Sequence, residues 1–142
     1  MTYATLQGLI DRFGDATIES LTDRAEPLAG AIDEDVVARA LADTDGIIDG
    51  YLRVRYVTPL TEVPPQVTDV ALSIAFYKLH RWEPDAKVVR DYQDALKSLR
   101  EIANGTILLT ADSLEPTPTG GTGARLTDRE RPLTADNLKG FI

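Results

Sequence analysis

From Asp33 to Gly105 the apolar residues of this chain return every three or four positions, in three long runs. That spacing lines side chains along one stripe of an α-helix, whereas a half-buried strand needs a period of two. The expected fold is therefore all-α, a small bundle of four to five helices with a long, largely irregular C-terminal tail. In the first run Val36, Val37, Ala40, Leu41, Ile47, Ile48, Tyr51, Leu52 and Tyr56 share the stripe. Asp33, Glu34 and Asp35 suit the positive end of that helix's dipole, and Arg53 and Arg55 the negative end. Gly46 and Gly50 interrupt the run at about 1 kcal/mol each relative to alanine, a cost that weakens it or marks close contact with another helix.

The connector "VTPLTEVPP" carries three prolines and permits no helix. The second run opens with Pro65 in its first turn. Val67, Val70, Ala71, Ile74, Phe76, Tyr77, Leu79 and Trp82 cover most of its circumference, which predicts a central position. The third run begins near "EPDAKVV" and holds Val88, Val89, Tyr92, Ala95, Leu96, Leu99, Ile102 and Ala103 on one stripe, ended by Asn104 and Gly105. Two short helices precede the three runs. One follows Thr5 as N-cap and stops at Gly14, with Leu6, Leu9, Ile10 and Phe13 at helical spacing. The other starts at Asp15, carries Ile18 and Leu21, and gives way to a polar turn containing Pro27.

Past Gly105 the pattern changes. A short apolar run, Ile107 to Leu109, is followed by a Thr, Pro and Gly rich stretch without period. The division expected is a helical domain over residues 1–109 and an extended tail over 110–142. Leu138, Phe141 and Ile142 make the end of the tail apolar, as a docking element would be.

Fifteen basic residues against 23 acidic ones leave a net charge of -8, the wrong sign for a protein that neutralises a nucleic-acid backbone. There is no cysteine, which excludes disulfides, thiolate metal sites and cysteine nucleophiles. The opening "MTYATLQGLIDRFG" lacks a basic leader with an apolar core, and no stretch approaches the roughly 20 apolar residues that span a bilayer. The expectation is a soluble protein made in the cytoplasm, with no membrane partner.

Chemistry-bearing patterns are few. His80 is the single histidine, set between Leu79 and Arg81 near a helix end, and reads as a satisfied or exposed helical residue. In "ADTDGIID", aligning Gly46 with the glycine of a calcium loop puts Leu41 and Leu52 at ligand positions, so the pattern fails at both ends. "GGTGAR", residues 120–125, has no lysine followed by serine or threonine and reads as a hinge. No carboxylate pair is singled out by spacing. The expectation is no enzyme, no metal and no cofactor. Arg53, Arg55, Lys78, Arg81, Lys87 and Arg90 would gather at one end of a bundle whose helices pack antiparallel, available to phosphate or an acidic protein, or serving only as helix-end charges.

Taken together, "YATLQGLIDRFG", "LTDR" at residues 21–24, "VVARALADTDGIIDGYLRVRYVTPL" with the prolines after it, "DVALSIAFYKL" and "RDYQDALKSLREIANG" resemble, over residues 3 to about 109, a protein family of Mu-like prophages and siphophages. That family, long a domain of unknown function, is treated as a head-tail connector or head-completion protein. The resemblance implies a virion protein that joins the portal protein after DNA packaging. It would form a twelve-fold ring of neighbouring copies and present a platform to the next neck protein, a tail terminator or stopper. Packaged DNA would pass through the channel without specific binding, which the negative charge suits. Copies in a ring meet through two different faces. The candidate interface residues are Arg53, Arg55 and Tyr56 in the domain, and Arg125, Arg129, Arg131, Leu138, Phe141 and Ile142 in the tail. The alternative is a small acidic helical regulator or inhibitor that binds one target through its tail.

Overall fold

The computed structural model describes residues 2–110, and among them there are five α-helices and no strand. The tail positions Arg125, Arg129, Arg131, Leu138, Phe141 and Ile142 lie outside the described residues.

Local chemistry sets the helix ends. The Thr5 hydroxyl accepts the Gly8 N–H at 3.0 Å and opens α1 (Leu6–Phe13), which closes on Gly14. With φ of +93°, Gly14 also starts α2 (Asp15–Thr22), so two helices meet at one residue whose backbone only glycine adopts without steric cost. The buried Thr22 hydroxyl donates to the Ile18 carbonyl at 2.9 Å and accepts the Asp33 N–H at 3.1 Å, which ties the end of α2 to the start of α3 (Glu34–Leu52). Asp33 caps α3, its carboxylate accepting the N–H groups of Asp35 at 3.0 Å and Val36 at 3.3 Å.

Pro65 occupies the first turn of α4 (Pro65–Leu79), where its missing N–H costs nothing. Val67, Val70, Ala71, Ile74, Ala75, Phe76 and Leu79 are all buried, and α4 packs against α1, α3 and α5 (Ala86–Asn104). It is the central helix that its apolar circumference predicts. By contrast, α5 buries fully only Ala95, Leu99 and Ile102, one stripe on an otherwise polar helix. Gly105 ends it in the left-handed conformation, φ +81°, while the Thr106 N–H reaches back to the Glu101 carbonyl at 2.9 Å.

A guanidinium N–H of Arg24 donates to the Leu79 carbonyl at 3.3 Å, so the chain leading into α3 lies at the C-terminal end of α4. The short link over residues 80–85 returns α5 along α4 in the opposite direction. Consequently α3 and α5 run parallel to each other and antiparallel to α4.

Two expectations change. Trp82 does not belong to α4: the helix ends at Leu79, His80 turns extended, and Trp82 stands 83% exposed just before the Glu83-Pro84 pair that holds the link extended. Gly46 and Gly50 do not mark close helix contact, because a Cβ at either position would meet nothing within 4 Å.

Candidate protein interface

α3 ends at Leu52, and Arg53 is its C-cap. Both the Arg55 and Tyr56 N–H groups return to the Leu52 carbonyl, at 3.0 and 2.9 Å. This tight curl keeps Tyr56 on the core side after the helix has finished. Tyr56 is only 4% exposed, and its hydroxyl accepts the Leu109 N–H at 3.1 Å. The candidate interface residue Tyr56 is therefore a core residue, held inward by apolar packing and by a buried amide that would otherwise lack a partner.

Its two arginine neighbours part company. Arg53 is exposed and its Nε donates to the Asp49 carbonyl at 3.4 Å, serving the end of its own helix. Arg55 serves another helix: its guanidinium lies against Gly105 at the C-terminus of α5, so close that a Cβ there would sit 2.6 Å from Cζ. The Arg55 Nε is buried without a hydrogen-bond partner. Arg55 thus faces the negative end of the α5 dipole, where the expectation had it completing α3.

The basic cluster also divides. Because α3 and α4 are antiparallel, Arg53 and Arg55 share an end of the bundle with Gly105, while Lys78, Arg81, Lys87 and Arg90 mark the other end, at the α4–α5 link. α5 alone, at 1.5 Å per residue, separates the two by roughly 25 Å. Each end carries its own exposed apolar residues. Beside Arg53 and Arg55 stand Val54, Val57 and Leu108; at the far end stand Leu28 and Trp82, with Arg81 6.0 Å from the Trp82 ring. Val54, Val57, Leu28 and Leu108 are not marked as surface residues by their sequence context. Each lies outside a helical stripe, in a connector, but Tyr56, Leu60 and Leu109 share those connectors and are buried, so position alone does not separate the exposed apolar residues from the buried ones.

A third surface lies along the side of the bundle. Gly46, Ile47, Gly50 and Tyr51 of α3 and Tyr92 and Leu96 of α5 line an apolar groove of about 350 Å³. Its floor is firm, since Tyr92 stacks on Tyr77 of α4 with ring centroids 3.9 Å apart and planes 6° from parallel.

The opposite side of α3 holds the chain start. The Tyr3 N–H donates to Asp45 Oδ1 at 3.0 Å, and the Tyr3 hydroxyl donates to Asp49 while accepting the Leu60 N–H at 3.1 Å. Burial, reinforced by the Asp49 carboxylate, pushes the Tyr3 phenol up to about 12. Burial also raises Asp45 above its ordinary value. Asp23 goes the other way, held down by the N–H groups of Gly30 at 2.8 Å and Ala29 at 3.1 Å. His80 caps α4, and its Nδ1 lies 2.8 Å from the Phe76 carbonyl, which makes that nitrogen the protonated donor. Among the described residues no group of three or more His, Cys, Asp or Glu could hold a metal ion, and no helix is long and apolar enough to cross a membrane.

The family model described as "Bacteriophage Mu, Gp36" matches residues 3–128. Gene product J of Escherichia phage Mu is 30% identical over 142 residues, covering all of both chains. The Mu-like prophage FluMu protein gp36 of Haemophilus influenzae is 31% identical over 140 residues, covering 99% of this chain and 98% of its own. With most of its length matched by the family and with full-length relatives in a phage and a prophage, this chain belongs to the Bacteriophage Mu Gp36 family.

Proposed function

We propose that this protein is a virion component that joins the phage head to the tail: a connector that assembles as a ring of copies on the portal protein after DNA packaging and receives the next neck protein, a tail terminator or stopper. The observation that carries the reading is the pair of unlike bundle ends, Val54, Val57 and Leu108 with Arg53 at one and Leu28 and Trp82 with Arg81 at the other. A closed ring uses heterologous contacts, so each copy must present two different patches. Exposed aromatic and arginine side chains are the residue types that anchor interfaces. Membership of a phage protein family supports the reading. The charge of -8 suits a channel wall past which DNA slides without being held.

Light scattering on a sizing column tests this, with the chain run alone and then mixed with the portal protein encoded beside it. A multi-copy assembly on the portal supports the connector. A one-to-one complex with some other target turns the reading toward an acidic regulator, and no association with the portal removes the proposed position.

A further inference from the structure

We infer that the start of the chain is a proton-linked latch: Tyr3, fastened to Asp45 and Asp49 of α3 and to Leu60 in the α3–α4 link, holds that link more firmly when Asp45 takes up a proton. The inference is independent of the proposed function.

Tyr3 sits where three segments meet, and it is 2% exposed. Its N–H donates to Asp45 Oδ1 at 3.0 Å, and its hydroxyl donates to Asp49 while accepting the Leu60 N–H at 3.1 Å. Asp45 and Asp49 stand one turn apart on α3, the spacing at which like charges repel. Among the described residues, neither forms an ion pair with a side chain. Closing the latch therefore draws two half-buried carboxylates together away from water, and one proton relieves that cost. The bonds survive the change: a protonated Asp45 keeps a carbonyl oxygen for the Tyr3 N–H, and Asp49 remains an acceptor for the phenol.

The electrostatics agree with the geometry. Burial raises Asp45 above its ordinary value and Asp49 adds to the rise, while the Tyr3 N–H and the α-amino charge of the chain start offset part of it. A carboxyl raised on docking takes up a proton as the latch closes. Closure thus strengthens as pH falls from neutral toward the ordinary carboxylate value, and gains nothing further below it. The charges of neighbouring elements are engaged elsewhere: Arg12 of α1 with Asp69 of α4, Arg53 with its own helix end, and Arg55 with the end of α5. Glu62 lies two residues beyond Leu60 on the link, and α2 meets α3 at Asp33, about three turns before Asp45. The link carries Val54 and Val57, so the latch sets how firmly that exposed apolar patch is presented.

Native-state hydrogen exchange on the full chain tests this, with protection factors read at the Leu60 and Leu109 amides between about pH 7 and about pH 4.5. Each amide is held by a tyrosine hydroxyl, and Leu60's is the one backed by the carboxylate pair. The expected result is a rise of about twofold or more in Leu60 protection relative to Leu109 as pH falls. In Asp45→Asn, which keeps an acceptor for the Tyr3 N–H but cannot take up the proton, the ratio should stay flat. A ratio that stays level or falls on acidification of the native chain overturns the inference, and so does a rise that persists in Asp45→Asn.

Discussion

Replacing Gly105 with alanine tests how the end of α5 is built. At φ +81° an alanine pays about 1–2 kcal/mol for the left-handed backbone. Its Cβ would also fall 2.6 Å from the Cζ of Arg55, so the guanidinium must move. The Arg55 Nε is buried, and displacing the side chain forfeits packing there together with the favourable charge at the helix end, about 0.5–1 kcal/mol. Together these predict a loss of about 1.5–3 kcal/mol, or about 6–12 °C in Tm for a domain of this size. The informative assay is a double-mutant cycle by thermal or urea unfolding with Gly105→Ala, Arg55→Ala and the pair. In the Arg55→Ala background the glycine substitution should cost only the backbone portion, about 1–2 kcal/mol, because no guanidinium remains to be displaced. Costs that add within about 0.3 kcal/mol would show that the two residues are not coupled, and would refute the placement of Arg55 at the end of α5.

Leu99→Ala empties a fully buried site on α5 and should cost about 2–5 kcal/mol in urea unfolding. Thr22→Val removes the hydroxyl that joins α2 to the α3 cap and leaves the Asp33 N–H without its partner, a loss of about 1–3 kcal/mol by the same assay. The Tyr3 phenol, raised from 10.0 to about 12 in the folded chain, contributes stability that is complete below pH 10 and lost as pH rises toward 12. The denaturation midpoint should therefore fall across that window in the native chain, and fall less in Tyr3→Phe. Asp23 has the opposite sign: its lowered value means a contribution present at neutral pH and lost as pH falls through the carboxylate range, so Asp23→Asn should flatten the acid limb of the stability profile.

Helix boundaries were readable from the chain because neighbours determine them. Thr5, Gly14, Asp33, Pro65 and Gly105 each act within a few residues of themselves, through a side-chain cap, a left-handed backbone or a missing N–H. The stripe through Tyr56 was correct as a statement about burial and wrong as a statement about helix. The core requires an apolar residue there, and a curl onto the Leu52 carbonyl delivers it as well as another helical turn would. Arg55 could not be placed from its neighbours, since what it touches lies 50 residues further along the chain, at Gly105. The division of the basic residues between two ends follows from helix direction, a property of the whole topology. The groove is not legible in the sequence for a related reason: two glycines four residues apart read equally as a close helix contact and as open space, and only the arrangement of α5 beside them decides.

The two tyrosine hydroxyls at Tyr3 and Tyr56 have a mechanical consequence. Each accepts a backbone N–H from a segment without regular structure, Leu60 in one case and Leu109 in the other, across 57 and 53 residues. The Leu109 pin stands between α5 and everything that follows it. Tension applied from residue 111 onward would load Tyr56 and the core around it before it reached the last turn of α5, so the helix is shielded from being peeled open from its end.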